Sequence, residues 1–265
     1  MVNPKAKAFI SPYKSLGQHF LIDQNIIRKI ITTCQLNKDD IILEIGPGLG
    51  ALTFELSRQA RQVIAVEKDN RLYKKLKEEK LKNLKIANED ILKFDFTAAA
   101  KKVKVIGNLP YNISSPIIER LIFNRRNITS IFLTVQREFA ERMIAEPDNK
   151  DYSALSCFVQ YYTTPKILFK IKNTSFRPVP KVDSCFIKMD IPKKLRLKAK
   201  DEGLLFKVIH SGFQQRRKTI LNSLSKALEK EKLRAILDSL KINSQWRAEN
   251  LRLEDFVRIS NAIRA

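Results

Sequence analysis

Between residues 41 and 145, short apolar segments alternate with amphipathic ones, and this alternation limits the fold more than any other feature of the sequence. The apolar runs have strand length, and the segments between them repeat apolar residues at helical spacing. Strands are predicted at 41–45, 63–66, 84–87, 103–106 and 130–135, and helices at 51–60, 71–80, 116–123 and 137–145. Such strand–helix–strand repeats predict a parallel sheet with right-handed crossovers.

The segments on either side of this region complete the fold prediction. Asp23 is a good N-cap for a helix whose apolar side includes Ile27 and Ile30. Apolar runs at 166–170 and 185–191 have little helix between them, so we expect an antiparallel pair that closes the sheet. After Pro192 a basic linker leads to purely helical periodicity. The expected fold is α/β, with a Rossmann-like, mostly parallel sheet and an antiparallel last strand, followed by a small all-α domain.

The charge of the chain indicates the chemistry of its partner. Fifty Lys and Arg against 28 Asp and Glu give a formal net charge of +22 and a pI near 10.0. Such an excess is typical of proteins that bind nucleic acid, although a membrane surface or simple solubility are alternatives. No apolar run approaches 18 residues and no signal-type segment opens the chain, which predicts a soluble protein that is neither membrane-bound nor exported. Three scattered cysteines and two distant histidines argue against zinc and disulfides, so no metal is expected.

A glycine-rich loop at residues 44–50 follows the first predicted core strand and opens a helix. Glycines such as Gly46 and Gly48 let a ligand approach the backbone closely. Glu67 ends the next strand, where a carboxylate can accept from a ribose diol, and Asp90 follows the third strand, where it can accept from an adenine amine. The G-x-G-x-G spacing after an acid favours S-adenosylmethionine over a dinucleotide. For both acids the alternative is a helix N-cap or a solvated loop residue.

The strand at 103–106 delivers Asn108, Leu109, Pro110 and Tyr111 at its carboxyl end. The Asn108 side-chain oxygen and the Leu109 carbonyl can accept the two hydrogens of an adenine 6-amino group, which frees the nitrogen lone pair for attack on a methyl group. Pro110 fixes the turn and Tyr111 offers a stacking face. The alternatives are a turn aromatic for Tyr111 and a helix cap for Asn108.

Five motifs occur in an order that resembles the ribosomal RNA adenine dimethyltransferases. They are LGQHFL at 16–21, EIGPGLG at 44–50, NLPYNISSP at 108–116, FRPVPKVDS at 176–184 and FQQRRK at 213–218. The resemblance covers the chain from about residue 14 to 261.

The resemblance implies the activity and its setting. It implies S-adenosylmethionine-dependent dimethylation of two adjacent adenosines in a 3′-terminal hairpin loop of small-subunit (16S) ribosomal RNA, on immature 30S subunits. A cytoplasmic, monomeric enzyme is expected. Alternatives are a large-subunit adenine methyltransferase of the macrolide-resistance type and a cofactor-binding assembly or transcription factor. The expected domains are a basic arm at 1–15, a catalytic domain at 16–192 and a helical RNA-binding domain at 193–265.

The resemblance also assigns residues outside the central motifs. His19 lies beside the cofactor, and Leu21 contributes through its backbone. Phe176 is the expected second stacking face for the target base, or equally a core residue. Arg216, Arg217 and Lys218 open a predicted helix and are expected to contact RNA phosphates, the alternative being a solvated charged face. Trp246 is predicted to lie in the core of the helical domain.

Overall fold

Nine strands form the β-structure of the described chain. The structure is a computed structural model, and it describes residues 11–13, 16–98, 102–225 and 229–264, so most of the predicted basic arm lies outside the described residues. The strands are β1 (Phe20–Leu21), β2 (Ile41–Ile45), β3 (Gln62–Val66), β4 (Leu84–Ala87), β5 (Val103–Asn108), β6 (Ile128–Gln136), β7 (Thr164–Ile171), β8 (Phe176–Arg177) and β9 (Ser184–Asp190).

Seven of these strands build one sheet in the order β4-β3-β2-β5-β6-β9-β7. Strands β2 to β6 pair in parallel with their sheet neighbours, and β9 pairs with β6 antiparallel, with Leu133 opposite Ile187. Every residue of β2 is buried, as expected for a strand covered on both faces. The predicted mostly parallel sheet with an antiparallel late strand is confirmed.

Helices connect the parallel strands and make up most of the C-terminal part. In the described residues they are α1 (Gln24–Thr33), α2 (Thr53–Gln59), α3 (Asn70–Glu78), α4 (Ser114–Phe123), α5 (Arg137–Ile144), α6 (Ala154–Tyr162), α7 (Glu202–Gln214), α8 (Ile220–Leu224), α9 (Lys230–Ser239) and α10 (Leu253–Ile263). Asp23 caps α1 by accepting from the backbone N–H of Asn25 at 2.9 Å, as the sequence predicts. The predicted helices are present, with ends shifted by a few residues.

One helix and two very short strands were missed by the sequence analysis. Helix α6 is rich in Val, Tyr and Phe, which favour strands, and it is buried at Val159, Tyr161 and Tyr162, so it lacks a clean polar face. The two-residue strands β1 and β8 pair antiparallel, with Phe20 opposite Arg177, and they are too short to give a periodic signal.

The chain divides into two compact units. The first unit is Met1–Arg137 with Ile167–Asp190, and the second is Glu138–Lys166 with Ile191–Ala265. The C-terminal part of the second unit starts at Ile191, and the sequence analysis placed its domain boundary after residue 192. Segment Glu138–Lys166, which the sequence analysis included in the catalytic domain, groups with the C-terminal helices. Aromatic packing accounts for this, because the Tyr162 hydroxyl donates to Glu202 at 2.7 Å and the Tyr162 ring stacks on Phe206.

Within the second unit the prediction for Trp246 is wrong. Its side chain is 44% exposed, whereas Phe256 and Leu237 are fully buried in the helical core. No described helix combines the length and the apolar character needed to span a bilayer.

Candidate active site

A cavity of about 320 Å³ opens in the first unit where the parallel strands end, and we call it the first cavity. Parallel strands present their carboxyl ends at one edge of the sheet, so the loops after β2, β3 and β5 meet there. The predicted residues that line it are His19, Leu21, Gly46, Gly48, Glu67, Asp90, Asn108, Leu109 and Pro110. Segments widely separated in sequence are thus brought together as predicted.

The glycine loop adopts a backbone that other residues disfavour. Gly46 and Gly48 have φ values of +64° and +58°, in the left-handed region where a Cβ atom is strained. A Cβ at Gly48 would also lie 3.2 Å from Cδ1 of Phe20. The loop therefore brings its backbone against the cavity, and the Gly48 N–H donates to Oε2 of Glu67 at 3.1 Å.

Glu67 is held by backbone donors rather than by a side-chain cation. It is 6% exposed, and its Oε1 accepts from the N–H of Asp69 at 2.8 Å. Burial raises the pKa of Glu67, and the bonds from Asp69 and Gly48 act in the opposite direction. Asp69, and not Glu67, caps helix α3, so the N-cap alternative for Glu67 is not what the structure shows.

Asp90 faces the first cavity and also forms bonds to neighbouring groups of the protein. It lines the first cavity, but its Oδ1 accepts from the N–H of Leu92 at 3.0 Å and its Oδ2 pairs with Nζ of Lys68 at 2.8 Å. The carboxylate therefore organises its own loop as well as facing the cavity.

A further acid, Glu44, is the acid before the glycine loop, to which the sequence analysis gave no role of its own. It is 1% exposed and lines the first cavity, and its Oε2 has no hydrogen-bond partner among the described residues. Burial, with a smaller contribution from the nearby Glu67 carboxylate, raises the pKa of Glu44 to about 8. The position of this residue just before the glycine loop was the available signal.

A polar network that was also missed links the motif at 16–21 to the start of helix α3. Nε2 of Gln18 donates to Oδ2 of Asp69 at 3.0 Å, and Oε1 of Gln18 accepts from the N–H of Tyr13 at 2.7 Å. Arg71 pairs with Asp69 at 2.7 Å and holds the pKa of Asp69 at about 2. The Arg71 guanidinium also lies 3.4 Å from the centroid of the Tyr13 ring.

Asn108 presents one oriented acceptor to the cavity. Its Nδ2 donates to the carbonyl of His19 at 2.8 Å, which fixes the direction of the amide. Its Oδ1 is buried and has no hydrogen-bond partner within the described chain. An unpaired buried acceptor is costly, so this atom is a candidate for contact with a ligand. Next to it, the Leu109 N–H donates to the carbonyl of Thr134 at 3.0 Å, which fixes the turn.

Tyr111 is held from two sides. Its hydroxyl lies 2.7 Å from Oγ of Ser184, and its ring stacks on His19 with centroids 5.3 Å apart and planes at 22°. His19 is itself fixed, because its Nδ1 donates to the carbonyl of Pro178 at 2.7 Å. One face of Tyr111 is therefore covered by His19, a contact that the sequence did not predict.

Phe176 does not present a stacking face in this structure. Its side chain is 0% exposed and packs in the hydrophobic core with Leu21 and Ile171. The pairing of β8 with β1 explains this position, because Phe176 lies opposite Leu21 in the ribbon. The second of the two predicted roles, a core residue, describes it.

The predicted RNA-binding residues lie in the second unit. Arg216, Arg217 and Lys218 are exposed, as expected, but they lie in a turn before α8 rather than opening the helix, which Thr219 caps. A hydrogen bond closes this turn, in which the N–H of Lys218 donates to the Gln215 carbonyl at 2.9 Å.

Comparison with known proteins identifies the family. The family model described as ribosomal RNA adenine dimethylase matches residues 11–265. The ribosomal RNA small subunit methyltransferase A of Clostridium botulinum is 41% identical, over 94% of this chain and 93% of that protein. The protein of the same name from Alkaliphilus metalliredigens is 38% identical, over 100% and 98%.

Solved structures agree with the sequence comparison. A dimethyladenosine transferase from Plasmodium falciparum is 29% identical with a TM-score of 0.78, covering 91% of this chain and 96% of that one. The 23S rRNA methyltransferase ErmE is 27% identical with a TM-score of 0.72, covering 93% and 100%. The chain belongs to the ribosomal RNA adenine dimethylase family.

Proposed function

We propose that this chain dimethylates the 6-amino groups of two adjacent adenosines in a 3′-terminal hairpin loop of small-subunit ribosomal RNA. The family gives the reaction: the chain is a ribosomal RNA adenine dimethyltransferase, and S-adenosylmethionine is its cofactor. The names of the curated relatives support the small-subunit RNA as substrate. The observation that carries the proposal for the site is the buried, unpartnered Oδ1 of Asn108.

The first cavity fits this cofactor. Its volume of about 320 Å³ suits a nucleoside ligand, and the carboxylates of Glu67 and Asp90 suit a cation that carries a ribose and an adenine. Each Glu67 oxygen accepts one backbone N–H and keeps lone-pair capacity for ribose hydroxyls. Gly46 and Gly48 allow close approach, while His19 and Leu21 border the ligand. When bound, S-adenosylmethionine supplies an electrophilic methyl group on a sulfonium.

The strand end orients the adenine amine. Oδ1 of Asn108 and the carbonyl of Leu109 accept its two hydrogens, so that the nitrogen lone pair is no longer delocalised into the ring. Pro110, with φ −61° and ψ 128°, holds the turn that carries both acceptors. These groups work by position and by fixed dipoles, and the chain needs no general base because the methylated amine loses its proton readily.

Tyr111 supports the target base. His19 covers one of its faces and Ser184 fixes its hydroxyl, so the other face is the platform for the adenine. Stacking of a base on an aromatic ring contributes roughly 1–3 kcal/mol. This assigns Tyr111 alone, without Phe176, to the stacking role.

The second unit binds the RNA backbone. It carries 21 Lys and Arg against 13 Asp and Glu, and Arg216, Arg217 and Lys218 are exposed in it. Exposed cations of this kind bind the phosphate backbone without reading the sequence. The same proposal includes three further points. The substrate particle is the immature small subunit, the enzyme is a monomer, and it is located in the cytoplasm.

Label transfer to ribosomal particles tests the proposal. Purified protein and methyl-labelled cofactor are incubated with unmethylated small subunits and, in parallel, with large subunits, and the label is mapped. We expect dimethylated adenosines near the 3′ end of the small-subunit RNA and none in the large subunit. Label only on large-subunit RNA overturns the proposal in favour of the macrolide-resistance type of activity.

A further inference from the structure

The second unit contains a cavity of about 450 Å³ that the methyl-transfer chemistry does not use. We call it the second cavity. It is formed by α5, by the loop and first turn that start α6, and by the end of α7 with the turn that follows. All of its lining residues belong to the second unit, so the cavity exists independently of the first.

Cations predominate among the permanently charged side chains of the second cavity. Arg142, Lys150 and Arg216 line it, against Glu138 and Asp151. Arg216 is held in place, because its guanidinium donates to the Lys150 carbonyl and lies 3.9 Å from Oε2 of Glu249. A fixed guanidinium loses less conformational freedom when an anion arrives.

The start of α6 adds backbone donors to these cations. Ala154 and Leu155, in the first turn of this nine-residue helix, line the cavity, and N–H groups there have no partner one turn earlier. The Ser156 hydroxyl accepts from the Ser153 N–H at 3.0 Å, so we do not count this hydroxyl among the groups that face an anion. The free N–H groups of a helix start favour an anion.

An aromatic ring lies beside these anion-binding groups. Phe213 is half-buried and lines the cavity. It is buttressed by Tyr152, with centroids 5.7 Å apart at 74°, and by Phe256, at 5.8 Å and 35°. A supported aromatic next to phosphate-binding groups is the combination that recognises an unstacked nucleotide.

We propose that the second cavity receives one unstacked nucleotide of the RNA substrate, with its phosphate among Arg142, Lys150 and Arg216 and its base against Phe213. The proposal rests on the proposed function only in that RNA is the substrate. The volume suits a mononucleotide, and loop RNA offers bases that can leave the stack. Glu138 opposes the phosphate, so its removal strengthens binding.

A mononucleotide titration tests the site without any RNA. Adenosine 5′-monophosphate is added to the full chain, with the first cavity saturated by S-adenosylhomocysteine, and amide shifts are followed by NMR. We expect shifts at Ala154, Leu155 and Phe213 that disappear in the double variant Arg142→Gln/Lys150→Gln. The spectrum of the variant also reports whether it is folded. Absence of these shifts in the wild type, or equal affinity for inorganic phosphate and the nucleotide, overturns the proposal.

Salt-dependent binding to small subunits tests the site on the substrate. Because the site holds one phosphate, the double variant Arg142→Gln/Lys150→Gln should lower the slope of log affinity against log salt by about 0.7. Phe213→Leu should weaken binding roughly 5- to 100-fold without changing that slope, and Glu138→Gln should tighten it. Lys230→Gln/Arg234→Gln, an exposed Lys and Arg pair on α9, is the matched control and should leave affinity unchanged.

The outcomes separate this inference from the proposed function. If the wild type labels small subunits and the Arg142/Lys150 variant keeps the wild-type salt slope, the nucleotide site is overturned and the enzyme assignment stands. If the wild type fails to label small subunits but shows the expected nucleotide shifts, the choice of substrate is overturned and the nucleotide site stands.

Discussion

The two cavities have opposite electrostatic character although they belong to one strongly basic chain. The first is lined by Glu44, Glu67, Glu89 and Asp90 with Lys68 as the lysine among them. The second has three cations and a helix start against two acids, Glu138 and Asp151. The cofactor is a cation and the RNA is a polyanion. A protein with a net charge of +22 can hold both only if the acids are concentrated where the cofactor binds.

The two cavities also differ in how their charged groups are fixed. In the first, buried carboxylates accept from backbone N–H groups, as Glu67 does from Gly48 and Asp69. In the second, Lys150 and Arg216 are exposed side chains. Substitutions in the first cavity should therefore change activity or ligand affinity strongly, and by a similar factor at low and high salt. Substitutions of exposed cations in the second unit should change RNA affinity little, and the change should disappear at high salt.

The largest effect is expected from Asn108→Ala. Loss of its oriented acceptor should lower kcat by about 10²- to 10³-fold, in the range seen when one transition-state hydrogen-bonding group is removed. Binding to small subunits should stay at the wild-type level, because the charges are untouched. Single-turnover transfer from labelled cofactor measures the rate, with exposed Asn25→Ala as the control. Unchanged transfer by the Asn108 variant would contradict the assignment.

Glu44→Gln should remove a pH dependence of stability. The pKa of Glu44 is about 8 in the folded chain against 4.5 as its ordinary value, so the folded state holds the proton more tightly. Its contribution is fully present below pH 4.5 and is lost as the pH rises to about 8. Above pH 8 the Gln variant should be the more stable, by on the order of 5 kcal/mol.

Urea unfolding of the cofactor-free protein between pH 4 and 9 measures the Glu44 effect. Glu78→Gln, an exposed position on α3, is the control and should show the wild-type pH profile. A Glu44 variant with that same profile would show that this carboxyl is not the buried acid described.

Glu67→Gln should weaken cofactor binding by roughly 10- to 100-fold. The neutral amide has one acceptor oxygen in place of two charged ones, so a ribose hydroxyl loses a charge-assisted bond worth about 1.5–3 kcal/mol. Calorimetry with S-adenosylhomocysteine measures the affinity. Glu89 lines the same cavity, and Glu89→Gln should lower the cofactor affinity much less. Equal losses in both variants would mean that only the overall charge of the cavity matters.

The smallest effect is expected from Lys218→Gln. Loss of one exposed phosphate contact should lower affinity for small subunits about 2- to 5-fold at moderate salt and reduce the salt slope by about 0.7–0.9. Lys232→Gln on α9 serves as the control, and binding is measured at several salt concentrations. A loss of affinity that persists at high salt would contradict the assignment of Lys218 as an exposed phosphate contact.

The same contrast explains what the sequence could predict. The first cavity was predictable because its residues follow strands with a clear period: Glu67, Asp90 and Asn108 each end or follow one. The second cavity joins α5, α6 and α7, and no local pattern brings Arg142 near Phe213. Helix α6 was missed because its composition favours strand and it has no solvent-facing stripe.

Two side chains show why the direction of a side chain is hard to predict from sequence. Phe176 is in the core because a two-residue ribbon, invisible to periodicity, turns it towards Leu21. Trp246 is exposed although its size suggests a core role. The free oxygen of Asn108 could be expected, but its orientation depends on the His19 carbonyl, 89 positions earlier.

The tethers of His19 and Tyr111 have a consequence for the order in which the site comes into being during synthesis. Every residue that lines the first cavity has been added by residue 117. Pro178, which holds His19 from 159 positions away, and Ser184, which holds Tyr111, are added much later. The growing chain thus contains every residue that lines the first cavity before it contains Pro178 and Ser184, so the supports of His19 and of the Tyr111 stacking platform are added last.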